Sequence, residues 1–326
     1  MGSIITNGAA ISALQVLRNI SGQMGAAQEE VSSGLRVKTA ADNAAYWSIS
    51  TTMRSDNMAM SAVRDALGLS AAVLDTTYAA VETSIDIMAQ ITAKLVAAQE
   101  HGVDKTKINE ELDQFKQQLQ STMDSASFNG QNWLSWNSGE DSRDKQIVSS
   151  FMRSSDGNIS LGTISYEINT PPPRTDTNVQ YFVDNGGSGE YGILSSEAFA
   201  VQAGSAINYV LILGSTAPAS AVELVLSNAT SSEELDDMIS TVEAMTKQMV
   251  SVASQIGSMI SRVEMQAEFA LKLSDSIDSG IGRLVDADMN EASTRLKALQ
   301  TQEQLAVQSL SMANSQPESL LTLFRQ

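Results

Sequence analysis

Acid–base chemistry would have to start at His101, the one histidine of the chain. It precedes Gly102 at the end of a helical stretch, the place of a solvated cap residue. A single histidine excludes the H-E-x-x-H zinc motif. The acidic pairs Asp236/Asp237 and Glu29/Glu30 have the composition of a carboxylate dyad. Each falls at a helix start or on a polar face, where solvation and the helix dipole account for it. Met245, Met249, Met259 and Met265 recur along a helical stretch and read as bundle filling rather than a metal box. Trp133 and Trp136, with Phe128 nearby, read as a packing cluster. Cysteine is absent, which removes disulfides, thiolate metal sites and cysteine catalysis. With no convergent acid, base and nucleophile, the chain reads as a non-enzyme with no cofactor.

The elements around these residues say more than the residues do. Formal charge is −18 over 326 residues, which makes phosphate backbones and anionic lipid poor partners. No run approaches the ~18 apolar residues of a membrane span, so neither nucleic acid nor membrane insertion is expected. The opening Met1-Gly2-Ser3-Ile4-Ile5-Thr6-Asn7 lacks the charged and apolar regions of a secretory signal peptide. Residues 1–130 and 231–326 are rich in Ala, Leu and Gln, while 131–230 carries Gly, Asn, Ser, Pro, Tyr and β-branched runs. This order predicts a mainly α protein: a long, coiled-coil-like helical bundle formed by the N- and C-terminal flanks, with a small β-rich central insert.

Spacing of four and three from Leu235 runs through Ile239, Val242, Met249, Ile256, Ile260 and Val263 to Leu284, and thirteen of its fifteen positions are apolar. That predicts seven unbroken heptads behind a capping box at Ser231–Glu234. The same spacing from Ile49 runs through Leu67, Leu74, Val81, Ile91 and Leu95 to Ala98. It is weaker, because Asp56, Ser70, Thr77 and Ser84 interrupt it, so a multi-helix bundle is expected. A third helix over about 104–127 carries Ile108, Leu112, Phe115, Leu119 and Met123 on one face. Nearer the ends, Ile11, Leu14, Leu17 and Ile20, and then Leu296, Leu299, Leu310, Leu320 and Leu321, are the expected assembly residues. These end segments are expected to order against neighbouring chains. In the middle, strands are predicted at 146–152, 158–168, 178–183, 190–195, 206–213 and 221–226, with a hairpin turn at Asp156-Gly157.

Several short stretches carry a family resemblance. Ser32-Ser33-Gly34-Leu35-Arg36-Val37, followed by Ala41-Asp42-Asn43-Ala44-Ala45, resembles the "SSGLR…AxDDAA" stretch of bacterial flagellins. Phe128-Asn129-Gly130 resembles their "TxFNG" segment, and Arg283-Leu284-Val285-Asp286-Ala287-Asp288 their "SRIxDAD". The tail, with Ala313-Asn314-Ser315-Gln316-Pro317 and Leu320-Leu321, resembles "QANQxPxxxLxLL". The ends look most like the flagellins of α-proteobacteria, the rhizobial group included.

The resemblance implies a subunit that polymerises with copies of itself, with or without sibling flagellins, into the extracellular helical filament that drives swimming. An inner terminal-helix domain lining the channel would comprise 1–40 and 286–326. A helical bundle with a β-hairpin, forming the tube, would comprise 41–170 and 231–285, and a surface-exposed variable β domain 171–230. Partners implied are a flagellar export chaperone, the filament cap and hook-associated proteins, with export through the flagellar type III apparatus. One departure concerns the patch that Toll-like receptor 5 recognises in enteric-type flagellins. The corresponding stretch, around Ile91, Ala93 and Lys94, has no Arg, so weak or absent receptor activation is expected. The rival readings are a hook–filament junction protein and a secreted coiled-coil adhesin.

Overall fold

The computed structural model describes residues 7–136, 144–154, 158–167, 177, 179–184, 192–213 and 220–323. The side chains of 136, 144, 167, 184 and 316–323 lie outside that description. In chain order the elements are α1 (Gly8–Ser33), α2 (Ala44–Ala97), α3 (Lys105–Ser125), β1 (Ser127–Phe128), β2 (Gln131–Asn132), β3 (Ser135–Trp136), β4 (Asp144–Arg153), β5 (Ile159–Glu167), β6 (Val183–Asp184), α4 (Ala198–Ala203), β7 (Tyr209–Val210), β8 (Val222–Glu223), α5 (Ser232–Val285) and α6 (Met289–Leu323). The protein is mainly α with a small strand-containing central region, as the composition shifts predict.

Most helix starts carry the chemistry that the exposed N–H groups of a first turn require. The side chains of Asn7, Asn43 and Asp104 each accept from a backbone N–H two or three residues on. At α5 the predicted capping box is complete: Glu234 N–H donates to the Ser231 hydroxyl at 3.2 Å, and Ser231 N–H to the Glu234 carboxylate at 2.7 Å. At α6 only half of it forms. Asp288 accepts from the N–H groups of Asn290 and Glu291, while the Glu291 side chain turns to Arg295.

The chain divides into two compact units, Met1–Met58 with Leu273–Gln326, and Ala59–Lys272; α2 and α5 contribute to both. In the second unit, α2, α3 and α5 share one hydrophobic core with the described central residues. On α2 the predicted seam is the buried one from Met60 to Ala98, with Leu67, Leu74, Val81, Ile91 and Leu95 all at 0% exposure. Its polar interruptions Thr77 and Ser84 are also buried. Each hydroxyl donates to the carbonyl four residues back, at 2.8 and 2.6 Å, so neither leaves an unmet polar group in the core.

On α5 the predicted seam is half right. Leu235, Val242, Met249, Ile256 and Val263 are buried, but the alternate positions are Met238, Met245, Val252 and Met259. The predicted Ile239 and Ile260 are only partly buried and flank that row. Both rows are apolar, so the helix carries a face three positions wide per heptad, and its rotation is chosen by its neighbours. Met265 leaves the row altogether at 63% exposure.

The central segment departs furthest from expectation. β4 and β5 form the predicted hairpin, antiparallel, with a register shift between Val148 and Ser150; the expected turn Asp156-Gly157 lies outside the described residues. Of the other four predicted strands, three shrink to two residues: β6 pairs with β3, which was not predicted, and β7 pairs with β8, both parallel, while the described residues of 190–195 form no strand. Turns at 192–196 and the short α4 occupy the rest. Val179, Tyr181, Phe182, Ile193, Leu194, Phe199, Tyr209, Leu211, Leu224 and Leu226 are all nearly inaccessible and belong to the bundle's core cluster. Residues buried on every side have lost the alternation that marks a half-exposed strand, so β-branched content alone overstates strand length.

Candidate assembly surface

The first unit contains an antiparallel pair, α1 against α6. Asn7 Nδ2, at the start of α1, donates to the Ala313 carbonyl near the end of α6 at 2.7 Å. Glu30, near the end of α1, lies 3.8 Å from Arg295 near the start of α6. Ala10, Ala13, Leu17, Ile20, Met24, Ala27 and Val31 are buried or half-buried on α1, a spacing of three and four. Ala292, Leu296, Leu299, Glu303, Ala306, Leu310 and Ala313 answer on α6. Only Leu299 among the large residues is buried; the others below 10% exposure are alanines.

So the pair covers little apolar surface of its own. Ile11 and Leu14 are 59% and 40% exposed, and Val16, Leu305, Val307 and Met312 are likewise exposed. Of the predicted assembly residues, Ile11 and Leu14 therefore face solvent, Leu17, Ile20, Leu296 and Leu310 are half-buried, and Leu299 is buried; the side chains of Leu320 and Leu321 lie outside the described residues. Leu305 and Met312, seven residues apart, share one face of α6, and Ile11 and Leu14, three apart, share one face of α1.

The motif residues Gly34–Asp42 and Asp286–Asp288 come together where α1 ends and α6 begins. Gly34 ends α1 in the left-handed conformation, φ 70°, with its N–H on the Glu30 carbonyl at 2.9 Å. Leu35 then bridges Asp286. Arg36 and Val37 N–H groups donate to the Val285 carbonyl at 2.7 and 3.2 Å, and Ala287 N–H to the Gly34 carbonyl at 2.9 Å. Arg36 Nη2 donates to the Leu284 carbonyl at 3.0 Å, and its guanidinium lies 6.0 Å from the Tyr46 ring centre. Asp42 accepts from the Thr39 N–H, the Lys38 N–H and the Thr39 hydroxyl, and these bonds hold its carboxyl below its ordinary value. Val37, Ile281 and Val285 form a small core under the crossing. Gly280 and Gly282 lie within α5, where a Cβ on them would meet Met53 Cε at 2.9 Å and an Asp286 carboxylate oxygen at 2.8 Å, respectively.

Phe128-Asn129-Gly130 forms a two-residue hairpin between β1 and β2. Asn129 and Gly130 have φ of 52° and 77°, the left-handed pair that an Asn-Gly turn supplies. Beside it Trp133, 2% exposed, stacks on Tyr166 at 5.4 Å. Burial raises the Tyr166 phenol above its ordinary value, and its hydroxyl donates to the Gln180 carbonyl at 3.0 Å. Of the receptor-patch residues, Ile91 is completely buried and belongs to the seam, which leaves Ala93 and Lys94 at the surface, the latter paired with Glu111.

Lys116 was not foreseen as a buried cation. It lies on the apolar face of α3, 6% exposed, and its Nζ donates to Glu223 at 2.9 Å and to the Leu224 carbonyl at 2.6 Å. Asn109 and Lys105 reach the segment that follows β8: Asn109 accepts from the Leu226 N–H, and Lys105 donates to the Asn228 side chain and the Thr230 carbonyl. The signal was legible: Lys116 falls four residues after Leu112 and three before Leu119, inside the apolar stripe.

Charge is divided unequally. The first unit has eight Lys and Arg against eleven Asp and Glu; the second has twelve against twenty-seven. Per residue, the unit with the exposed apolar helices carries much the smaller acid excess. His101 is exposed, and among the described residues no three His, Asp or Glu side chains are grouped to hold a metal.

Two family models match the chain. The bacterial flagellin N-terminal helical region covers residues 4–138, and the bacterial flagellin C-terminal helical region covers 239–324. The chain is 51% identical over 331 aligned positions to Flagellin C of Rhizobium meliloti (strain 1021). It is 43% identical over 396 positions to Flagellin D of Rhizobium meliloti, and 35% identical over 326 to the flagellin of Brucella melitensis biotype 1. Each alignment covers the whole of both chains.

Proposed function

The chain belongs to the bacterial flagellin family, and from that premise we propose that the exposed apolar faces of α1 and α6 are the surfaces through which copies of it join. A flagellin is a structural protein, the subunit of the extracellular filament that a bacterium rotates to swim. The observation that carries the assembly role is the combination on α1 and α6: a pair that buries mainly alanines, leaves Ile11, Leu14, Leu305 and Met312 open, and belongs to the less acidic unit. Contacts between different faces of successive copies generate open helices when the rotation between copies does not close on itself.

In this reading residues 1–40 and 286–326 line the filament channel, 41–170 and 231–285 form the tube, and 171–230 lies at the surface. The crossing at Gly34–Asp42 and Asp286–Asp288 sets the direction of the terminal helices. The subunit has no catalytic role and is exported with a chaperone on its C-terminal segment. It meets hook-associated proteins at one end of the filament and the cap at the other. With Ala93 and Lys94 as the exposed remnant of the patch, it activates Toll-like receptor 5 weakly or not at all. A junction protein or an adhesin is not favoured, since flagellin matches cover both flanks and full-length relatives share the name.

Purified monomer seeded with short filament fragments tests this by electron microscopy. Long filaments are expected. Chains lacking 1–40 or 290–326 should keep the fold of Ala59–Lys272 and fail to elongate; elongation by the trimmed chains would refute the role of the ends.

A further inference from the structure

We propose that Met312 is an oxidation site that decides whether a free subunit can join the polymer, an inference that rests on the assembly role of α1 and α6. The chain has no cysteine and 15 methionines, so its sulfur chemistry is entirely thioether chemistry. Among the described residues, seven of these thioethers are shielded. Met60, Met88, Met123, Met238, Met245, Met249 and Met259 are buried in the core. Oxidants in solution therefore meet the exposed ones, of which Met58, Met312 and Met265 are the most open at 70%, 65% and 63%, ahead of Met152 and Met289 at 53% and 43%.

Their surroundings separate these three. Met58 follows Asn57 with Arg54 one turn before it, and Met265 stands among Arg262, Glu264 and Glu268. A polar group added at Met58 meets water and charge, and one at Met265 also borders the exposed Phe269, but neither residue lies on α1 or α6. Met312 lies two turns beyond Leu305 on the same face of α6, and both are exposed. Its neighbour Ala313 is where Asn7 anchors the start of α1, the helix that presents Ile11 and Leu14. Met312 thus belongs to the apolar surface that assembly must dry.

A peroxide supplies the chemistry. The sulfur lone pair attacks one peroxide oxygen, the O–O bond breaks, an S–O bond forms, and the other oxygen leaves as water. The thioether loses two electrons and becomes a sulfoxide, a strong acceptor. Burying that acceptor without a donor opposes assembly. Once a copy is in place the thioether is covered, so free subunits are sensitive and incorporated ones protected. The reaction is reversible by methionine sulfoxide reductases, so an excluded subunit is recoverable.

The experiment uses full-length monomer treated with dilute hydrogen peroxide, peptide mapping by mass spectrometry, and seeded elongation. Three proteins are compared: the unsubstituted chain, Met312→Leu, and Met58→Leu/Met265→Leu. Untreated samples of all three should elongate; failure of the untreated, unsubstituted chain would overturn the assembly reading itself. After treatment, the unsubstituted chain and the double variant should elongate about tenfold more slowly or worse. Met312→Leu should keep its rate, and reductase treatment should restore the others. Met312 should also oxidise far more slowly in intact filaments than in monomer. Normal elongation by subunits shown to carry the Met312 sulfoxide, or equal oxidation rates in filament and monomer, would overturn the proposal.

Discussion

At the scale of single residues, close approach and buried polarity decide the outcomes. A Cβ at Gly192 would lie 2.8 Å from both the Phe182 carbonyl carbon and Val183 Cα, backbone atoms that cannot swing aside. Gly192→Ala should therefore destabilise the Ala59–Lys272 unit by about 1–3 kcal/mol, read as a lower urea midpoint. Lys116→Met keeps the apolar stem but leaves the Leu224 carbonyl and the Glu223 carboxylate without their donor. A loss of about 2 kcal/mol is expected; no change in the same titration would mean that Lys116 holds nothing there. Asp42 behaves differently because it is fully exposed. Its folded carboxyl titrates below the 3.8 of the unfolded chain, so its contribution is present above about pH 4 and disappears as pH falls through the folded value. Asp42→Asn should lower the thermal midpoint slightly across the neutral range and leave it unchanged at low pH, where Asp42 is already protonated, so the acid limb flattens.

At the scale of elements, the α5 register is the clearest case of a choice between near-equals. Ile256 lies in the fully buried row and Ile260 in the flanking one. The same change to alanine should cost about 2–5 kcal/mol at Ile256 and distinctly less at Ile260. Equal losses by chemical denaturation would argue for the heptad that the bare 4-3 spacing picks. On α1 the expectation reverses between stability and assembly. Ile11→Ala and Leu14→Ala remove exposed groups, so monomer stability should move by less than about 0.5 kcal/mol while seeded elongation falls. Leu299→Ala, which opens a gap between α1 and α6, should lower both.

At the scale of the whole molecule, net charge opposes polymerisation. A formal charge of −18 on every copy repels the next, and the acid excess falls mainly on Ala59–Lys272. Screening shortens the reach of that repulsion from about 30 Å at ~0.01 M ionic strength to about 8 Å at ~0.15 M. Seeded elongation should accelerate over that range, because the apolar contacts on α1 and α6 are not weakened by salt. A rate that falls instead would make attractive ion pairs, not dry packing, the main bond between copies.

Much of this was legible before any coordinates. Helices repeat every 3.6 residues, so the long flanks, the α2 seam and the capping box at Ser231 and Glu234 follow from residue order alone. Short motifs carried the family, and the Asn129-Gly130 turn followed from the few conformations those two residues favour. Tertiary structure decided what local order leaves degenerate. Ile239 and Met238 are equally apolar, so packing against the rest of the core chose which row of α5 went inside. Within 178–226 the sequence had the β-branched content of strands, yet among the described residues only Val183–Asp184, Tyr209–Val210 and Val222–Glu223 pair as strands, because burial against the bundle core leaves no half-exposed face to alternate. Gly34 and Gly282 look alike in a chain, but one ends a helix with φ above zero and the other makes room for Asp286. Ile91 was read both as a seam residue and as part of a surface patch; burial at 0% exposure on α2 leaves it only the seam. Local propensity acts within a few residues, whereas facing, exposure and close approach depend on segments that meet from more than a hundred residues away.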